Sequence, residues 1–419
     1  MKSVLLVVKS KKMENLGVMY LSAIIKRCKH DCHIIELGQL EDGMKAYSPD
    51  IIGYSIMTGD EERFRDANFK YVVSRYSLKG KKCPKIIVGG PDPTFHPNIY
   101  EKWTNVVVQG EAEGWAAKEF GDTMWEAFPF LDDIPWPDRT DFPNMPIRDF
   151  ISSRGCPYKC TYCYNDRWNV LFPHTKNVRT RNANDVVREI AHVAPKFAYF
   201  QDSCFGVSMQ WLREFTKQYC GVNIPYHCHL RPEQVVEERV LLLKDSGCYS
   251  TRIALETASM ELRKVIGRER MKLDDVSRAA RLLKKWDIKL MIQNMIGLPT
   301  STIEDDLETL EFNISCQSSY GWVSIFQPYP GTILGDKCKK NKWYKGDYSD
   351  ISDSFFDTSP LNFKPEHIEQ LEVLQKVFAP CVEHKYMPKA EELTHENFPK
   401  LIHAIFRKVG DKRLYGGVI

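Results

Sequence analysis

The sequence predicts two successive parallel α/β layers and a helical tail: an open parallel sheet, then a partial (β/α)6 barrel, then a small helical C-terminal region. Three observations predict this. Short apolar runs alternate with helically spaced segments over residues 1–125. Prolines 129, 135, 137, 143 and 146 then interrupt any helix or central strand, marking residues 126–148 as an extended linker. The alternation resumes over 149–335 with a different rhythm. Strands that alternate with helices pair in parallel, because each helix carries the chain back to start the next strand in the same direction.

In the first layer the strand runs are VLLVV (4–8), HIIEL (33–37), DIIGYSI (50–56), KIIVGG (85–90) and NVVVQG (105–110). Leu16 to Cys28 has helical spacing, and a polar helical segment runs through Tyr71. Ser55 with Thr58, Gly89-Gly90-Pro91 and Gly110-Glu111 fall just after strand ends, where open parallel sheets hold their ligand crevice. Glycine there lets a backbone approach a bulky ligand, so the layer reads as ligand-binding. The second layer runs through DFISSR (149–154), FAYFQD (197–202), YHCHLR (226–231), TRIALE (251–256), KLMIQNMI (289–296) and WVSIFQ (322–327). Helices fill the gaps, including 235–247 with Gly247 at its C-terminal cap, and 273–286. A barrel of this kind places its chemistry at the strand C-termini. The tail, 336–419, is helical and charged, with a helix over about 365–378.

Composition narrows the function classes. A formal charge of +3 without a clustered basic face gives no case for nucleic acid. No apolar run approaches the roughly 20 residues of a membrane span. The N-terminal apolar stretch ends at Val8 against lysines and reads as a first strand, so the expected location is cytoplasmic. The 13 cysteines are scattered and expected to be reduced, which makes metal binding the first reading of any tight cysteine cluster.

One such cluster exists. Arg154-Gly-Cys-Pro-Tyr-Lys-Cys-Thr-Tyr-Cys-Tyr164 carries C-x-x-x-C-x-x-C directly after a predicted strand. Thiolates at Cys156, Cys160 and Cys163 can converge on three irons of a cubane, leaving the fourth iron open for an outside ligand. A zinc or redox-thiol site completed by a fourth ligand from elsewhere is the alternative. Cys28 and Cys32 span a helix end and a strand start, which splays them. Cys220, Cys228, Cys248, Cys316, Cys338 and Cys381 read as core or surface thiols, and Cys204 also as a candidate near the cluster. His227 and His229 alternate on one strand, and His229 is a candidate for the barrel interior.

The cysteine loop resembles that of the radical S-adenosylmethionine (SAM) superfamily, whose pattern is C-x-x-x-C-x-aromatic-C. The resemblance implies a 4Fe–4S cluster on the three cysteines, SAM chelated at the open iron, and Tyr162 beside the adenine. It also implies SAM contacts from Asp202 in Phe200-Gln-Asp-Ser-Cys-Phe205, from Arg231 before Pro232, and from Glu256 in Ile253-Ala-Leu-Glu-Thr-Ala. Gly297 in Ile296-Gly-Leu-Pro299 and Gln327 in Gln327-Pro-Tyr-Pro-Gly-Thr332 complete the set. Ala254 stands where glycine is common, and Thr300-Ser301 where Gly-Glu is usual. Tyr329, Cys204 and His229 are candidates for the substrate pocket.

The first layer resembles the Rossmann-like cobalamin-binding domain found upstream of many radical SAM barrels. Asn15-Leu-Gly-Val-Met-Tyr-Leu-Ser22, Pro49-Asp-Ile-Ile-Gly-Tyr-Ser55, Ile87-Val-Gly-Gly-Pro-Asp-Pro-Thr94, Val107-Val-Gln-Gly-Glu-Ala-Glu113 and Ile134-Pro-Trp-Pro-Asp138 carry the likeness. It implies cobalamin contacts from Leu16, Gly17, Ser55, Thr58, Gly89, Gly90, Gly110 and Glu111. The D-x-H-x-x-G motif of histidine-ligating relatives is absent; Ser10-Lys-Lys-Met-Glu-Asn-Leu-Gly17 stands there. Together the likenesses imply a cobalamin-dependent radical SAM methyltransferase acting on an unactivated carbon, served by a flavodoxin- or ferredoxin-like electron donor. A cyclisation, oxidation or rearrangement on the same architecture, or a non-catalytic sensor, are the alternatives. The substrate is a small molecule or a partner protein or peptide, with the tail as the specificity element.

Overall fold

A computed structural model describes the chain except residues 75, 77–82, 123–129, 176–177, 347, 349–350, 353 and 408–419. The first part of the linker, with Pro129, and the end of the tail therefore lie outside the described residues. The chain divides into two compact units, Met1–Gly155 with Trp168–Tyr199, and Cys156–Arg167 with Phe200–Ile419.

In chain order the strands are β1 (Ser3–Val8), β2 (Asp31–Glu36), β3 (Ile51–Ser55), β4 (Lys85–Gly89), β5 (Val106–Val107), β6 (Ile147–Phe150), β7 (Ser153–Arg154), β8 (Arg179–Thr180), β9 (Phe197–Phe200), β10 (Tyr226–Leu230), β11 (Cys248–Glu256), β12 (Lys289–Ile296) and β13 (Tyr320–Ile325). The first sheet is ordered β2-β1-β3-β4-β5, and all its pairs are parallel. The second is ordered β13-β12-β11-β10-β9-β6, with parallel pairing from β10 to β13. This is the open sheet and partial barrel that the alternation predicts. Several boundaries shift by a few residues, and two runs differ more. DFISSR is not one strand: β6 ends at Phe150, and Ser153-Arg154 pairs antiparallel with β8 instead. In NVVVQG only Val106 and Val107 hold the ladder, an edge position with a single neighbour.

Strand β1 shows why the first sheet is covered on both faces. Val4, Leu6 and Val8 enter one core with Leu16, Val18 and Met19. Leu5 and Val7 enter another with Ile35, Leu40 and Phe64. Successive side chains of a strand point to opposite faces, so a continuous apolar run serves two cores. The helix Leu16–Arg27 is capped by Asn15, whose side chain accepts from the Val18 N–H, and it ends on Lys26 and Arg27, which favour the negative end of its dipole. The described part of the proline-rich stretch is extended yet buries Leu131, Ile134 and Phe142 in the first of these cores. Proline denies it a hydrogen-bond ladder but not apolar burial.

In the second unit Ile296, Val323 and Ile325 pack outward against Leu371, Leu374, Val377 and Phe378 of the tail helix. That helix spans Pro365–His384, longer than the predicted 365–378, and contains Pro380. Proline in a helix interior loses a backbone bond; burial of Cys381 and Val382 on the same core holds the last turn in place. Gly247 has φ +81° directly after the helix Glu237–Asp245, as a C-terminal glycine should. Among the described residues no helix is long and apolar enough to cross a membrane.

The first unit also holds a buried ionic knot. Glu14, with a side chain 1% exposed, pairs with Arg139 and with Arg148 at 2.7 Å, and accepts the Asp149 N–H at 2.8 Å. Glu189, equally buried, takes Arg139 at 3.2 Å and Arg181 at 2.6 Å. Removing one member leaves buried charge uncompensated, at a cost of about 3–5 kcal/mol. Glu14→Ala is therefore expected to lower the stability of this unit by that amount in chemical denaturation; a change within the error of the measurement would show that the knot contributes no net stability.

Candidate functional site

In the second unit the loop after β7 carries the three cysteines, all half-buried and free. The turn that follows the helix Met260–Val265 holds the loop. Thr161 N–H donates to the Ile266 carbonyl at 3.1 Å, and Thr161 Oγ1 to the Val265 carbonyl at 2.9 Å. Leu334 N–H in turn donates to the Thr161 carbonyl at 2.8 Å. Gly267, at φ +70°, lets this turn approach: a Cβ there would stand 3.0 Å from the Lys159 carbonyl oxygen. Burial pushes the Cys163 thiol up to about 11 and raises Cys156, so metal binding must displace protons from these sulfurs. Asn165 Nδ2 lies 3.5 Å from Cys163 Sγ and 3.3 Å from Ser203 Oγ. Among the described residues no three or more His, Cys, Asp or Glu side chains surround one point as the ligands of a single ion would. A cubane makes a different demand, since each thiolate takes its own iron.

The strand ends bring several of the predicted contacts to this loop. Tyr162 donates its hydroxyl to Glu256 Oε1 at 2.7 Å. Glu256 closes β11 at φ +70°, where the register slips against β12. Burial pushes its carboxyl above the ordinary range, against the pull of Arg268 beside it. Arg231 lies 3.8 Å from Cys160 Sγ, stacks 4.1 Å over the Tyr158 ring and pairs with Glu233 at 2.7 Å. Glu256 Oε2, Gln327 Oε1 and Arg231 Nε are buried without a hydrogen-bond partner, while Gln327 Nε2 holds the Thr358 carbonyl at 2.9 Å. These three are among several buried side-chain atoms of this unit that have no partner among the described residues. Asp202 is fully buried after β9.

The remaining predicted residues are placed as follows. Gly297 N–H donates to the buried Asp306 at 3.2 Å, and a Cβ on Gly297 would strike Leu371 at 2.8 Å, so one side of it faces the tail helix. Tyr329 and Tyr162 both pack against the core that contains Phe326 and Leu334. Cys204 is buried, donates to Gln234 Oε1 at 2.7 Å, and is held up to about 12 by burial. His229 Nδ1 lies 3.1 Å from Arg252 Nη2 and must accept there, because arginine only donates. Burial first, and then Arg252, depress its pKa well below the imidazole range. Sequence reading missed Arg268, Gln234 and Asp306. None stands at a strand end, where parallel sheets gather their ligand contacts.

The first unit holds a separate cavity of about 300 Å³ at the carboxyl edge of its sheet. Gly17, Ser55, Gly89, Gly90, Gly110 and Glu111 line it, as the sequence reading expects of them. Leu16 and Thr58 are not among the lining residues; Leu16 is packed in the core. Thr94, not singled out from sequence, ties the glycine loops together. Its hydroxyl donates to the Gly90 carbonyl at 2.7 Å and accepts the Gly110 N–H at 3.1 Å. Glu111 and Glu113 at the rim are bound by Arg154, at 3.4 and 2.5 Å, and Glu111 also by Arg179. A mostly apolar cavity with glycines in its lining suits an apolar-faced ligand that approaches the backbone closely.

Two known families match parts of the chain. Residues 150–312 match the Radical SAM superfamily, and residues 2–118 match the B12 binding domain. An uncharacterized methyltransferase of Pyrococcus horikoshii is 24% identical over 368 residues, 76% of this chain and 77% of that protein. The fold is shared with the radical SAM methyltransferase TsrM from Kitasatospora setae, solved with cobalamin and a 4Fe–4S cluster bound. The TM-score is 0.66 at 14% identity, covering 87% of this chain and 83% of TsrM. It is also shared with OxsB, a cobalamin-dependent SAM radical enzyme, at TM-score 0.58 and 16% identity, covering 82% of this chain and 56% of OxsB.

Gly90 offers a direct check on the cavity. It sits at φ +110°, and a Cβ would lie 2.8 Å from the Ile56 carbonyl oxygen and 2.9 Å from its nitrogen. Backbone in this region costs a non-glycine residue about 1–3 kcal/mol. Gly90→Ala should lower the unfolding midpoint and abolish retention of added corrinoid; wild-type corrinoid retention by this variant would show that the loop is not part of the cofactor cradle.

Proposed function

For a chain that carries a B12-binding domain followed by a radical SAM domain, we propose a cobalamin-dependent methyltransferase that methylates an unactivated carbon. The observation that carries the reading is the pairing of two ligand-ready sites in one chain. One is a three-thiol loop bonded through Tyr162 to Glu256, whose Oε2 is buried and unpartnered; the other is a glycine-lined cavity. When bound, the cluster and SAM supply reductive sulfonium cleavage and hydrogen abstraction, and the corrinoid supplies methyl transfer to a carbon with no lone pair.

The chain's own residues hold and orient these groups. Cys156, Cys160 and Cys163 bind the cluster, and Arg231 places a positive charge against Cys160 Sγ. Glu256 Oε2 and Gln327 Oε1 accept hydrogen bonds from the amine or ribose of SAM, with Tyr162, Asp202 and Gly297 around them. In the first unit Gly17, Ser55, Gly89, Gly90, Gly110 and Glu111 cradle the cobalamin, flanked by Leu16 and Thr58. No histidine comes to it from the loop after β1, where Ser10 to Gly17 stand. The likeness to a relative described as a methyltransferase favours methylation over cyclisation, oxidation or rearrangement. Tyr329, Cys204 and His229 are placed in the substrate pocket, and a flavodoxin- or ferredoxin-like protein is the electron donor.

Protein purified without oxygen should contain iron, sulfide and corrinoid together, and with a reductant and SAM should release 5′-deoxyadenosine. Methyl-deuterated SAM incubated with small-molecule and protein fractions of a cell extract should mark a product heavier by one labelled methyl group. Cys160→Ala should lose the iron and reduce 5′-deoxyadenosine to background. Iron-free wild-type protein, or turnover whose product gains no label, would sink the assignment.

A further inference from the structure

We propose that Arg268 is a positioning residue that locks the cysteine loop and the end of β11 into one SAM-receiving unit, through a single guanidinium shared by Tyr162, Glu256 and the Ala254 carbonyl. Arg268 is 3% exposed. Its Nη1 lies 3.2 Å from the Tyr162 hydroxyl and 3.3 Å from Glu256 Oε1, and its Nη2 donates to the Ala254 carbonyl oxygen. Tyr162 belongs to the cysteine loop, whereas Ala254 and Glu256 belong to β11.

Three features make this more than a buried ion pair. Glu256 occupies the left-handed region, at φ +70°, where a residue with a Cβ persists only if its surroundings over-determine it. Arg268 grips the chain on that residue's side chain and two residues before it, spanning the register slip. Second, the backbone leading to Arg268 binds the cysteine loop itself, through the bonds from Thr161 to Ile266 and Val265 and the close approach of Gly267 to Lys159. The turn therefore touches the loop through backbone and touches Tyr162 through its side chain. Third, only Oε1 of Glu256 is used by this clamp; Oε2 is left buried and unpartnered. A carboxylate held by one oxygen with the other presented is the arrangement expected of a preorganised ligand contact. A lysine cannot reproduce it, because its ammonium is a point charge without the planar fork.

The inference rests on the reading above in one respect, that SAM is the ligand. Its test reads binding rather than turnover. Wild type, Arg268→Lys and Tyr162→Phe are reconstituted as full chains, assayed for iron and sulfide, and titrated with SAM by equilibrium dialysis and by the electron paramagnetic resonance spectrum of the reduced cluster. Loss of one charge-assisted contact should weaken SAM binding by about ten- to a hundred-fold in Arg268→Lys. Tyr162→Phe should weaken it several-fold. Both variants should keep wild-type iron content and a wild-type spectrum without SAM, and lose the SAM-induced spectral change at concentrations that saturate the wild type. Wild-type SAM affinity in both variants overturns the proposal, as does a fall in SAM binding no larger than a parallel fall in iron content, which would make Arg268 merely structural. A wild-type protein that assembles its cluster yet shows no response to SAM overturns the functional reading and this proposal together, whereas responsive but unaltered variants overturn this proposal alone.

Discussion

Parallel strand pairing is the constraint on which the rest depends. When every strand of a sheet runs the same way, all its carboxyl ends fall on one edge, and the loops that leave them are brought together whatever their separation in sequence. In the first sheet this gathers Ser55, Gly89-Gly90 and Gly110-Glu111 round one cavity. In the second it places Arg231 after β10 and Glu256 at the end of β11, against a cysteine loop that approaches from another part of the chain. Helices of the Leu16–Arg27 kind make this possible by covering the faces, so that the strands themselves can be almost wholly apolar.

Burial raises the demand on every polar group that the sites need. Most such groups are answered within the protein: Glu14 and Glu189 by arginines, Asp306 by the Gly297 N–H, Cys204 by Gln234. Other buried polar atoms have no partner among the described residues, and Glu256 Oε2 and Gln327 Oε1 are two of them. Glu256 Oε2 and Gln327 Oε1 belong to residues whose other polar atom is already engaged. Each is therefore fixed in direction by the protein, with one buried oxygen that no group of the described residues answers.

Much of the architecture was legible because its signals are local. An apolar run closed by glycine or a polar residue reads as a strand wherever it sits, and β12 coincides with the run read from sequence. Misreadings came where a neighbour decides. DFISSR is apolar enough for one strand, but Ser153-Arg154 turn to pair with Arg179-Thr180, a partner that no local pattern announces. The tail helix runs past Pro380 because buried contacts on β13 reward its last turn. Among the site residues, the cysteine triplet and the glycines have spacing of their own. Arg268 has none: it is one charged residue among several in Gly267-Arg-Glu-Arg270.

By itself, then, the sequence determined the succession of most strand runs along the chain, the cysteine triplet and the glycine positions, because each follows from period, composition or spacing along the chain. Tertiary structure alone decided which buried polar groups are satisfied within the protein and which are not. It also decided that the Tyr162 hydroxyl meets Glu256 and Arg268, and that Leu16 serves the core while Gly17 lines the cavity. The physical reason is that a hydrogen bond or a burial is a property of two places in the chain at once, and only folding brings those places together.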